Sequence, residues 1–117
     1  MSIPVGPYSP IVRAGEFLIC SGQIGLADGI LVAGGVVAQF RQAVANAEAV
    51  LATEGATLAD VVKTTVFLVH MDDFSAMNEA YVTCFGDSRP ARSAVGVAAL
   101  PLGALVEIEL WAYDASN

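Results

Sequence analysis

Charge is what this chain has least of. Of its 117 residues only 15% are charged, where an ordinary domain has about a quarter. Cations are scarcest: Arg13, Arg41, Lys63, Arg89 and Arg92 face twelve acids, for a net charge of −7. A nucleic-acid binder needs clustered Lys and Arg along its phosphate track, so that class is disfavoured. There are two cysteines, Cys20 and Cys84, far apart in sequence. They make neither a disulfide framework nor a metal knuckle and fit a reducing compartment. No apolar run approaches the ~18 residues that span a bilayer. Met1-Ser2-Ile3-Pro4 lacks the basic and apolar regions of a secretory leader. The expectation is a soluble, cytoplasmic protein with no membrane partner.

What the chain has instead is apolar residues, 56% of the total. A domain this small has much surface to cover. Few charges and many apolar side chains together imply a homo-oligomer with a large apolar interface.

No repeat, linker or low-complexity tract interrupts residues 1–117, which read as one domain. Residues 11 to 24 suggest two strands about a turn at Gly15-Glu16, and Asp28-Gly29 a second turn leading to a short strand at 30–32. After Gly34-Gly35, Val37, Phe40, Val44, Ala47 and Leu51 recur on one helical face, with Gln39, Arg41, Gln42, Asn46 and Glu48 off it. Gly55 is the stop signal. Residues 61–69, "VVKTTVFLV", read as a central strand. Asp72 or Asp73 can cap a second helix ending near Phe85, with Phe74, Met77, Tyr81 and Cys84 as its stripe. Residues 93–97 and 105–113 are two more strands. The order β-β-(β)-α-β-α-β-β predicts an α+β fold, a mixed sheet with both helices on one face. A partner subunit would cover the other face.

Few residues invite chemistry. His70 is the only histidine, and Asp72 and Asp73 lie close by. One His and two neighbouring acids at a strand-to-helix turn do not match a zinc or iron site. Ser21 in "SGQ" lacks a nucleophile elbow and reads as loop chemistry. Asn78 flanks the second helix's stripe and reads as an edge amide. Arg92, in "RPARSAV", opens a strand beside the rigid Pro90. Its planar fork fits a carboxylate, or equally a surface acid. In "LVEIELWAY", alternation puts Val106, Ile108, Leu110 and Ala112 on one face and Glu107, Glu109, Trp111 and Tyr113 on the other. Periodicity does not choose between the two glutamates.

Taken together, "GPYSP", "ICSGQI", "VVKTTVFLVHMDDFSAMNEAY" and "PARSAVGVAALPLGALVEIE" resemble the ordered motifs of the RidA/YjgF family, the reactive intermediate deaminases. The likeness runs from Pro4 to Tyr113. It implies a chorismate-mutase-like α+β fold assembled as a homotrimer with pockets between subunits. The implied activity is hydrolysis of 2-imino acids, such as 2-iminopropanoate and 2-iminobutanoate, to 2-oxo acids and ammonia, with no metal or cofactor. Carried over, Arg92 would hold the substrate carboxylate and Glu107 would activate the attacking water. The backbone carbonyl of Ala94 would be that water's second partner. Tyr8, Ser21 and Asn78 would complete the binding pocket. This chain departs from the family pattern in having Ala94 where many members carry cysteine, Gly96 where an acid is frequent, and a short segment at 86–89. Two other functions are a trimeric carboxylate-binding regulator without turnover, and the ribonuclease or translation-inhibitor activity attached to the family's names. The negative charge weighs against the last.

Overall fold

The computed structural model describes residues 6–115. Strands β1 (Ile11–Ala14) and β2 (Phe17–Ile24) form a hairpin in which Ala14 faces Phe17. Gly15 has φ +60°, which the tight turn requires and a side chain would resist. Strands β3 (Leu26–Ala27) and β4 (Ile30–Leu31) make a second small hairpin about Asp28 and Gly29, both at positive φ. Helix α1 (Gly35–Ala52) follows. Then come β5 (Val61–Leu68), α2 (Phe74–Phe85), β6 (Ala91–Gly96) and β7 (Val106–Tyr113).

The main sheet has the order β1-β2-β7-β5-β6. Only the β5–β6 pair is parallel, joined by the crossover through α2. The expected α+β architecture therefore holds. The middle strand, however, is β7, and β5 lies between β7 and β6. A run of β-branched residues marks an interior strand but cannot rank it among neighbours distant in sequence.

Both helices pack on one face, over a core of Leu18, Phe40, Leu51, Leu68, Met77, Ile108 and Leu110. The expected α1 stripe is buried at Phe40, Val44, Ala47 and Leu51, with Val37 only partly covered. The buried face is wider than expected: it also takes in Val36, Ala43 and Val50, and Gln39, which the sequence places off the stripe. Its Oε1 accepts the Leu105 N–H at 2.9 Å, so an amide in the core has its partner. Asn46 Nδ2 donates to the carbonyls of Ile24 and Leu26 at 3.1 and 2.9 Å. Between these two tethers lies Gly25, where a Cβ would come within 2.7 Å of the Gln39 backbone. The expected aspartate cap of α2 differs in detail. Asp73 occupies the N-cap position but makes no capping bond with its side chain, and a single 3₁₀ turn at Met71–Asp73 leads into the helix.

Among the described residues no helix covers the opposite face of the sheet. Phe17, Val95, Trp111 and Tyr113 are exposed there. Phe17 meets Trp111 and Tyr113 edge to face at 6.0 and 5.5 Å. No helix among the described residues is long and apolar enough to cross a membrane.

Candidate active site

The residues singled out from sequence fall into two groups, one on each face of the sheet. The first surrounds Arg92. It pairs in register with buried Thr64 on β5, so its side chain leaves the sheet on the helix side. There Nη1 donates to Asn78 Oδ1 at 2.7 Å. The guanidinium carbon lies 4.8 Å from the Tyr81 ring centroid and 5.6 Å from that of Phe74. Such stacking holds the fork in a plane without neutralising it. Tyr81 is fixed in turn by a 2.7 Å hydrogen bond between its hydroxyl and that of buried Thr64. Burial pushes the Tyr81 phenol up from its ordinary value. Phe74, Met77, Asn78 and Tyr81 stand at i, i+3, i+4 and i+7 on α2, and that spacing could have predicted this platform.

The alternative open from sequence, that Arg92 pairs with an acid, is not realised among the described residues. There the ion pairs belong to Arg13, which binds Glu54 at 3.4 Å and Asp114 at 3.1 Å. The Val97 N–H bonds the Leu68 carbonyl. In a parallel ladder alternate residues turn both backbone groups to the same side. Val95 and Ser93 therefore face β5, and Arg92, Ala94 and Gly96 present N–H and C=O at the open edge. A Cβ on Gly96 would lie 3.0 Å from Met71 Cγ, so an acid there would have to displace that side chain.

The second group lines an open pocket of about 320 Å³ on the opposite face. Tyr8, Ser21, Glu107 and Glu109 supply its polar atoms, and Gly22, Ile24 and Pro101 complete the wall. A bulge in β2 shapes it. The register passes from Cys20 opposite Leu110 to Gln23 opposite Ile108, so one extra residue is accommodated at Ser21-Gly22. Ser21 Oγ donates to the Ser9 carbonyl at 2.6 Å, and the Ser21 N–H to the Pro10 carbonyl at 2.9 Å. These bonds draw the segment bearing Tyr8 over the pocket. Glu107 is half-buried, not in open water. Burial first, and the neighbouring charge of Glu109 second, raise its carboxyl above the ordinary 4.5. Glu109, which the resemblance gave no part in the site, lines the same pocket. Gly22 and Pro101 were quoted within motifs but given no part in the site.

The remaining candidates stay outside both groups. His70 lies at the β5–α2 junction, where its carbonyl accepts the Asp73 N–H. Among the described residues no cluster of His, Cys, Asp and Glu could hold a metal ion. Burial pushes the Cys20 thiol up to about 12, which makes it an inert core residue.

The geometry defines a small α+β protein with a caged arginine on one sheet face and a carboxylate-lined pocket on the other. The profile of the family described as Endoribonuclease L-PSP matches residues 2–114. The chain is 47% identical to a RutC family protein of Pyrococcus horikoshii, over 94% of this chain and 89% of that one. It is 49% identical to the 2-iminobutanoate/2-iminopropanoate deaminase of Mus musculus, over 90% of this chain and 79% of that one. The crystal structure of E. coli TdcF with bound serine superposes with a TM-score of 0.90 at 34% identity, covering 96% of this chain and 91% of that one. The chain belongs to the RidA/YjgF family.

Proposed function

We propose that this protein hydrolyses small 2-imino acids to 2-oxo acids and ammonia, at sites each built from two copies of the chain in a homotrimer. The observation that carries this reading is the Arg92 cage. Its guanidinium is flat, stacked and held by a neutral amide, with no acid against it among the described residues. A fork kept rigid yet unneutralised suits a substrate carboxylate. The mouse relative's name supplies the substrate class, and the serine of the TdcF structure is a ligand bearing a carboxylate beside a nitrogen.

The chemistry needs few parts. An iminium carbon is already electrophilic. Arg92 of one protomer holds the carboxylate and fixes where that carbon lies. Glu107 of a second protomer takes a proton from water as the oxygen–carbon bond forms. The outward carbonyl of Ala94 orients the same water, a role that needs no thiol at this position. The carbinolamine nitrogen then receives the proton held by Glu107. The C–N bond breaks, ammonia leaves, and the hydroxyl collapses to the carbonyl while its proton returns to solvent. General-base assistance of this kind is worth about 10²–10⁴-fold. Tyr8, Ser21 and Asn78 shape the binding surface. The two-copy arrangement rests on the separation of Arg92 and Glu107 by the sheet and on the exposed Phe17, Trp111, Tyr113 and Val95, a bare apolar face that favours assembly.

A non-catalytic carboxylate-binding protein is the second reading, since binding alone would use the same Arg92 cage. RNA cleavage is disfavoured by the net charge of −7 and by two glutamates in the pocket. The deciding experiment generates 2-iminobutanoate with a threonine dehydratase and follows ammonia release. A rate proportional to added protein supports the enzyme. Saturable binding with no acceleration would leave only the binder.

A further inference from the structure

Glycine usually earns its place in a strand through backbone freedom, and Gly22 does not use it. Gly15, Gly29, Gly34, Gly35, Gly55, Gly86 and Gly103 all have positive φ, and Gly22 does not. Any L-residue could adopt its backbone. What it lacks is room. A Cβ at this position would overlap Glu107 Oε2 and would lie 2.8 Å from Glu107 Cδ and 3.2 Å from Cγ. All three nearest atoms thus belong to one side chain, the half-buried carboxylate of the pocket.

We infer that Gly22 is a positioning residue for Glu107: its missing side chain is the seat of the catalytic carboxylate. The bulge between Cys20 and Gln23 brings the Gly22 backbone against the centre of β7, and the carboxylate lies over it. Ser21 fixes the bulge from the other side through Ser9 and Pro10. The direction of Glu107 is therefore set by β2, an element that supplies no proton acceptor of its own to the reaction. A methyl group at position 22 would leave the strand's φ and ψ undisturbed and push the carboxylate out of its seat. This inference rests on the reading of Glu107 as the base, and its test separates the two.

Two cycles of variants test it. In the first, Gly22→Ala lowers kcat about 10²-fold or more, the scale of general-base help, while KM changes little. The same substitution made on Glu107→Gln costs almost nothing further, because the group it displaces no longer acts as a base. An equal loss in both backgrounds would overturn the inference, since Gly22 would then act independently of Glu107. The second cycle reads thermal stability alone. Gly22→Ala lowers Tm in the parent chain and much less on Glu107→Ala, where the colliding side chain is gone. Equal losses of Tm, or a double variant that fails to fold where Glu107→Ala folds, would also overturn it. If Glu107→Gln proved fully active, the base reading would fall, and the stability cycle would still decide whether Gly22 seats this side chain.

Discussion

Arg92 and Glu107 stand on opposite faces of one sheet. Arg92 pairs with Thr64, whose side chain enters the helix-side core, and Glu107 pairs with Phe67, three residues further along the same strand. An odd separation on a strand reverses the face. The proposed clamp and the proposed base within one protomer are thus divided by the sheet.

That division predicts complementation. Arg92→Ala and Glu107→Gln should each keep only a small residual rate alone. Mixed and allowed to exchange subunits, they should recover activity at about a quarter of the sites if the closed assembly is cyclic and random. An inactive mixture whose mixed assembly is verified by native mass spectrometry would exclude a site shared in this way.

Arg92→Ala should abolish turnover of imines that bear a carboxylate without lowering the assembly mass. Arg92→Lys should restore only part of the rate, because a point charge cannot copy a planar fork on Tyr81 and Asn78. Steady-state kcat/KM on 2-iminobutanoate, with sedimentation in parallel, measures both. Wild-type kcat/KM in the alanine variant would remove Arg92 from the site.

The carboxyl of Glu107 is raised by burial and by Glu109. A base works deprotonated, so the acidic limb of the kcat/KM–pH profile should lie above the ordinary carboxylate value. Glu109→Gln should move that limb to lower pH and keep most of the rate at neutral pH. The stability sign follows from the same shift. A raised folded-state pKa means that the stabilising contribution is present below the unfolded value and is lost as pH rises through the folded one. Glu107→Gln should therefore raise the protomer's Tm at neutral pH and have little effect at pH 4, while lowering kcat strongly. An unchanged acidic limb in Glu109→Gln would show that the two glutamates do not interact.

Gln39 is a test of the scaffold. Its amide holds the Leu105 N–H, at the point where the Pro101 loop enters β7. Gln39→Leu keeps the bulk and leaves that backbone donor unpaired. It should cost about 1–3 kcal/mol in urea unfolding. A loss below ~0.5 kcal/mol would mean that water replaces the amide.

Local pattern carried much of the fold. The alternation in Val106–Tyr113, the glycine turns at 15 and 29 and the apolar recurrence in both helices were legible, because side-chain direction in a helix or strand follows from residue spacing alone. The buried Gln39 escaped notice, since its partner lies 66 positions away. Glu109 and Gly22 escaped as pocket residues for the same reason: the bulge that brings β2 over β7 is a register between strands, and no single segment encodes it.

By itself, then, the sequence determined the elements, the two faces of each strand and the residues able to bind a carboxylate or accept a proton. Only the tertiary structure decided which face each functional residue occupies relative to the helices. It also decided that β7 is the middle strand, and that Arg92 and Glu107 lie on opposite faces of the sheet. The physical reason is that periodicity has a phase but no sign. A two-residue repeat states that alternate side chains differ in direction, and long-range pairing and helix packing choose which direction is the core.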